Sequence, residues 1–168
     1  MQNEINKALE VLKNGGTILY PTDTIWGIGC DATNESAVAR IFDIKKRVES
    51  KAMISLVCNT AMIDDYTNSN QLQISLSDKP TSVIYQNVNG LASNLIAKDK
   101  TTAFRISSDE FCYRLVSEFG FPIVSTSANI SGKDFPKQFS EISDEIKDNV
   151  DYVVNLRKRK IMDKRIKE

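Results

Sequence analysis

Apolar residues return at helical spacing in Ile5, Ala8, Leu9 and Leu12, and Gly15-Gly16 follows, which predicts a first helix with a left-handed glycine stop. Thr17 to Tyr20 is a short β-rich run closed by Pro21. Thr22 to Asp31 reads as a loop or bent strand in which Gly27 and Gly29 allow unusual backbone angles. Asn34 is placed to cap a second helix with Val38, Ile41 and Phe42 on its inner face and Lys45 and Arg47 near its end. Ala52 to Cys58 is a continuous apolar run, the pattern of a buried strand, and a helical stretch through Ile63 and Tyr66 follows. Asn68 to Asp78 fits no template. Thr81 to Tyr85 and Ala103 to Ile106 read as strands. Ser108 is the expected cap of a helix turning Phe111, Cys112, Leu115, Val116 and Phe119 inward, with Gly120 as its stop. Pro122 to Ser125 is a strand that runs into Thr126-Ser-Ala-Asn-Ile-Ser-Gly132; Ile142 and Ile146 mark a short helix and Tyr152 to Val154 a last strand. Helices and strands are interspersed without a clean βαβ repeat. The expectation is an α/β domain, a mixed twisted sheet flanked by helices, in preference to a doubly wound one.

At 168 residues, 41% apolar and 26% charged, the chain has the composition of one ordinary globular domain. Its 22 basic and 22 acidic side chains cancel, so no global field draws it onto nucleic acid or membrane, and any anion site must be local. Cys30, Cys58 and Cys112 are odd in number and widely spaced, which fits neither a disulfide framework nor a metal knuckle; they read as buried thiols in a reducing compartment. No apolar stretch approaches the ~18 residues of a membrane span, and the N-terminus lacks the pattern of a signal peptide. A cytoplasmic location is expected.

Histidine is absent, which excludes Ser-His-Asp and Cys-His catalysis and every His-ligated metal site. Lys, Arg, carboxylates, hydroxyls and backbone amides remain. They suit phosphoryl or nucleotidyl transfer, where positioning and charge stabilisation do most of the catalysis.

Four segments offer such groups. In Ile44-Lys-Lys-Arg-Val-Glu-Ser-Lys51, the cations Lys45, Arg47 and Lys51 converge only if the helix breaks after Arg47; the plainer reading is a helix end complementing its own dipole. Ser125-Thr-Ser-Ala-Asn-Ile-Ser-Gly132 sets four hydroxyls and an amide after an apolar strand, either an anion nest or a polar turn. Tyr20-Pro-Thr-Asp-Thr-Ile-Trp-Gly-Ile-Gly29 holds two threonines and a carboxylate, either ligand contacts or a loop beside a core-packed Trp26. In Thr101-Thr-Ala-Phe-Arg-Ile-Ser107, Arg105 lies mid-strand among apolar neighbours and needs an anionic partner from the protein or from a ligand.

On Pro21-Thr-Asp-Thr-Ile-Trp-Gly, Lys45-x-Arg47-x-x-x-Lys51 with Ser127-x-Asn129, Phe104-Arg-Ile, and Pro122-Ile-Val-Ser-Thr-Ser-Ala-Asn-Ile-Ser-Gly132, the chain resembles the YrdC/Sua5 (TsaC) family of L-threonylcarbamoyladenylate synthases from about Ile5 to Val154. The resemblance implies a single-domain, twisted, largely parallel mixed sheet with a concave, positively charged face. It implies an ATP-dependent reaction of L-threonine and bicarbonate or carbon dioxide that gives threonylcarbamoyl-AMP and pyrophosphate, which a separate transferase complex uses on the adenosine beside the anticodon of ANN-reading tRNAs. By matching position, Thr24, Arg105 and Ser125 are the expected threonine site and Arg47, Lys51, Thr101 and Ser127 the ATP contacts. Lys45 and Asn129 complete the walls, and catalysis is expected of Lys45, Arg47, Ser127 and Asn129. Magnesium would travel with the nucleotide, with no metal site of the protein's own. A monomer is expected, with at most a weak RNA contact. The other readings are an inactive paralogue or an RNA-binding relative without turnover.

The chain departs from the family pattern at three places. Val48 stands where a proline usually follows Arg47, and Asp78-Lys-Pro-Thr81 replaces Pro-Gly-Pro-Thr. The C-terminal Ser-Thr-x-x-Asp motif gives way to Leu156–Glu168, seven cations against two carboxylates. The expected division is therefore a synthase domain at 1–155 and a flexible basic tail at 156–168.

Overall fold

A computed structural model describes residues 1–47, 53–68 and 80–162; Lys51, Val48, most of the 68–78 stretch and the end of the basic tail lie outside them. Helix α1 (Gln2–Lys13) buries Ile5, Ala8, Leu9 and Leu12, as the spacing demands, and ends at Asn14, one residue ahead of the left-handed Gly15. Strands β1 (Ile18–Pro21) and β2 (Trp26–Gly29) form an antiparallel hairpin. Its tip is tied by the Thr22 hydroxyl, which accepts from Thr24 N at 3.1 Å and donates to Ile25 O at 2.7 Å. Helix α2 (Glu35–Lys45) is capped by the Asn34 side chain, which accepts from Ala37 N. Lys46, at φ 52°, turns the chain left-handed and ends it, and Arg47 N donates back to Phe42 O.

Then come β3 (Ile54–Val57), α3 (Thr60–Asp64), β4 (Ser82–Tyr85), β5 (Thr102–Ile106), α4 (Glu110–Phe119), β6 (Ile123–Ser127), a 3-10 turn at Phe139–Glu141, α5 (Asp144–Asn149) and β7 (Tyr152–Val153). Asp109, and not Ser108, caps α4: its carboxylate accepts from Cys112 N at 3.0 Å, a stronger partner for the helix N-terminus than a neutral hydroxyl.

The described strands make one sheet in the order β4-β5-β3-β6-β2-β1-β7. It is mixed, as expected, but not largely parallel. Only β1–β7 and β3–β5 run parallel, while β1–β2, β2–β6, β3–β6 and β4–β5 are antiparallel. The physical reason is that β6 enters between β3 and the N-terminal hairpin and runs against both.

Side-chain alternation splits the core into two layers. Ile18, Tyr20, Leu56 and Ile123 pack with α1 and α4, whereas Leu19, Ile28, Val57, Phe104 and Val124 pack with α2, Ile63 of α3 and Ile146 of α5. All three cysteines are buried thiols.

Residues 156–162, the described part of the basic tail, make contacts with the domain. Arg157 pairs with Asp109 at 2.5 Å, Lys158 lies 4.9 Å from the Phe139 ring centre, and buried Met162 donates its N–H to Lys137 O. An apolar anchor and a helix-cap carboxylate give this basic stretch somewhere to bind, which charge counting alone does not reveal.

Candidate active site

A cavity of about 240 Å³ opens where the hairpin tip meets the ends of β6 and β3. Thr22, Thr24 and Ile25 come from the tip, Trp26 and Gly27 from β2, and Ser125, Thr126 and Ser127 from β6. Met53 and Ile54 open β3, Arg47 follows α2, and Arg105 comes from β5. Register explains the convergence. Ile54 pairs with Ser125, Gly27 with Ser127 and Leu56 with Arg105, so these positions share the α1/α4 side of the sheet.

Of the residues singled out from sequence, Thr24, Arg47, Arg105, Ser125 and Ser127 line this cavity together. Lys45 does not face it. Its side chain is buried, and its ammonium donates to Ser127 O at 2.5 Å, Asn129 O at 2.8 Å and Asn129 Oδ1 at 3.3 Å. Ser131 N donates back to Lys45 O, so α2 and the loop after β6 are fastened in both directions. Burial, with the nearby Arg47 charge, pulls Lys45 from 10.5 down to about 8. Asn129 points away as well, donating to Lys133 O at 2.7 Å. Thr101 stands at the entry to β5, with its hydroxyl on Asp99 at 2.7 Å.

Arg105 is the cavity's buried cation. Its Nε donates to Ser82 Oγ at 3.1 Å, and its Nη1 stands 3.9 Å from Asp23 Oδ1. Burial pulls Arg105 below its ordinary range and pushes Asp23 above its own, each opposed by the partner's charge. Arg47 is likewise lowered by burial.

Five further residues matter here that sequence reasoning left unassigned or read otherwise. Thr22 ties the tip, and Asp23 answers Arg105. Trp26 is fully buried against Phe139, with ring centres 5.0 Å apart, and its indole N–H finds no acceptor among the described residues. Gly27 and Gly29 are there for space and not for unusual backbone angles, since neither has a positive φ. A Cβ on Gly27 would stand 3.3 Å from Thr126 O and 3.5 Å from Ser125 Oγ; on Gly29 it would stand 2.5 Å from Val124 O. Glycines two apart on a strand were the available signal, because same-face spacing points to close approach as readily as to a bend.

Two guanidinium groups and a cluster of hydroxyls stand together at one end of the mixed sheet of an α/β protein, groups of the kind that bind anions. Residues 10–164 match the Sua5/YciO/YrdC family, described as telomere recombination, and the chain belongs to that family. It is 31% identical over 163 residues to the threonylcarbamoyl-AMP synthase of Pseudoalteromonas translucida (strain TAC 125), covering 92% of this chain and 86% of that one. It is 29% identical over 161 residues to the threonylcarbamoyl-AMP synthase of Vibrio vulnificus (strain YJ016), covering 92% and 87%. Its fold superposes with TM-score 0.78 on P. abyssi Sua5 crystallised with L-threonine, at 22% identity, over 89% of this chain and 45% of that one. The chain thus spans under half the length of that solved relative.

Proposed function

We propose that this protein makes L-threonylcarbamoyl-AMP from L-threonine, bicarbonate or carbon dioxide, and ATP, releasing pyrophosphate. The carrying observation is that Arg47 and Arg105 line one cavity together with Ser125 and Ser127, a cation for each of two anionic substrates. N-Carboxylated threonine presents a carbamate oxygen to the α-phosphorus of ATP. The new P–O bond forms as the bond to the β-phosphate breaks, and pyrophosphate leaves with the electron pair. Both reactants are anions, and fixed, desolvated cations offset several kcal/mol of their repulsion.

In this reading Arg105 receives the threonine carboxylate, with Thr24 and Ser125 beside it. Arg47 and Ser127 take the nucleotide, with Thr101 further along and Lys51, outside the described residues, expected to join them. Lys45 and Asn129 act by holding the loop that presents Ser127. Magnesium enters bound to ATP. The protein works as a cytoplasmic monomer and hands its product to a separate transferase complex for tRNA modification. Among the described residues, no helix is long and apolar enough to cross a membrane.

The test is pyrophosphate release by the purified chain. Release is expected only when threonine, bicarbonate and ATP are all present, and equal release without threonine refutes the proposal.

A further inference from the structure

At the Arg105 end of the cavity the fold buries two opposite charges without letting them bond. The side chains of Asp23 and Arg105 are 7% and 6% exposed, and the 3.9 Å between Oδ1 and Nη1 exceeds hydrogen-bond length. Each is fixed elsewhere, Arg105 through Nε on Ser82 Oγ and Asp23 through Oδ2, which accepts from Ser107 Oγ at 3.4 Å. Asp23 Oδ1 is buried and has no hydrogen-bond partner among the described residues. Arg105 lines the cavity, as do Thr22 and Thr24 on either side of Asp23, while Asp23 itself does not.

The two kinds of attraction separate at this distance. A Coulomb interaction falls off slowly, whereas a hydrogen bond requires contact. Asp23 therefore cancels much of the Arg105 charge without occupying its donor fork. Asp109 also repels Asp23 but is itself paired with Arg157, the buried Tyr20 hydroxyl donates to Val124 O at 3.0 Å, and Arg47 is the second cation of the cavity. A lone guanidinium would attract any carboxylate. A neutral pair rewards a carboxylate only when the ligand carries its own positive group to offset repulsion from Asp23.

We infer that Asp23 is a specificity-determining residue that makes this end of the cavity select a zwitterion, an α-amino acid, over a plain carboxylate of the same shape. The inference rests on the proposed role of Arg105 as carboxylate anchor. It adds that the amino group is already required for binding, before it reacts.

The experiment is calorimetric titration of the full chain with L-threonine and with 3-hydroxybutanoate, the same skeleton without its amino group. Wild type is expected to bind threonine at least about tenfold more tightly. Asp23→Asn should shrink that ratio below about threefold, chiefly by tightening 3-hydroxybutanoate, and Asp23→Glu should restore it. An unchanged ratio in Asp23→Asn overturns the inference. If the Asn variant does not fold, Asp23→Ser, smaller and equally uncharged, carries the same comparison. L-Alanine against propanoate separates the two ideas. A wild-type chain that selects alanine but ignores threonine keeps the charge rule and removes the threonine assignment. One that binds 3-hydroxybutanoate as well as threonine removes the charge rule and keeps the assignment.

Discussion

Replacing Lys45 with methionine separates holding a loop from touching a substrate. Methionine keeps most of the apolar stem and removes the donor, so the carbonyls of Ser127 and Asn129 lose their partner. Each such loss costs about 1–3 kcal/mol when dry. Both residues are only half-buried, so water recovers part of it. On the other side stands the relief of no longer burying an ammonium, which a drop from 10.5 to about 8 sets at about 3 kcal/mol. The terms nearly cancel. Stability should change by less than about 2 kcal/mol, a Tm shift within about 8 °C for a chain of this size. Activity should not be spared, because a displacement of about 1 Å in a substrate-holding group costs around a hundredfold in rate. The loss belongs on the nucleotide side, since Arg105 is anchored on β5 and not through Lys45. Pyrophosphate release with each substrate varied in turn, beside a circular dichroism melt, reads both effects. kcat/KM for ATP should fall about a hundredfold while KM for threonine stays within about threefold. A folded variant with unchanged kcat/KM for ATP, or with a KM for threonine raised as much as that for ATP, refutes the reasoning.

The same lysine gives a pH signature. The native state releases its proton near 8 and the unfolded chain near 10.5, so the unfolded chain binds more protons between those values and stability rises with pH there. The stability difference between wild type and Lys45→Met should shift in favour of wild type by up to about 3 kcal/mol across that window, measured by denaturant titration. Gly29→Ala places a Cβ 2.5 Å from Val124 O and should cost about 2–3 kcal/mol, whereas Gly27→Ala, with its nearest neighbour at 3.3 Å, should melt within a few degrees of wild type but weaken threonine binding several-fold. Arg157→Ala removes the 2.5 Å pair with Asp109, and faster amide exchange over residues 156–162 is expected, with a global loss near 1 kcal/mol.

Legibility followed the range of the interactions. Helix α2 could be read from its cap and inner face and α4 from its inner face and stop, because these lie within one short window; the α4 cap fell on Asp109 and not Ser108, and α2 stops at Lys46, where no glycine marks it. The β1–β2 hairpin was harder: its strands are buried on both faces and its glycines answer neighbours on distant strands, so neither alternation nor turn chemistry marks it. Pro21 fits inside β1 because β7 pairs only with Ile18 and Leu19, leaving no ladder bond for the missing N–H to break. Strand direction could not be read at all, since it depends on where β6 inserts. At the cavity, residue type marked the four segments, and the family resemblance picked Thr24, Arg47, Arg105, Ser125 and Ser127 out of them. Residue type could not tell a cation facing outward, Arg47, from one turned inward two residues earlier, Lys45.

The placing of the N-terminal hairpin between β6 and β7 also sets a timetable. Its two strands are finished by Gly29, but the neighbour that covers one edge begins at Ile123 and the other at Tyr152. At about 5–20 residues per second, the hairpin waits roughly 5–20 s during synthesis for its first partner. During that interval an apolar ribbon has both edges open, the state in which strands pair with the wrong chain. Thr24 and Ser125, made about a hundred residues apart, meet only when that wait ends. The cavity therefore cannot form until β6 has been made, and a ribosome-bound fragment short of β6 has no partial version of it.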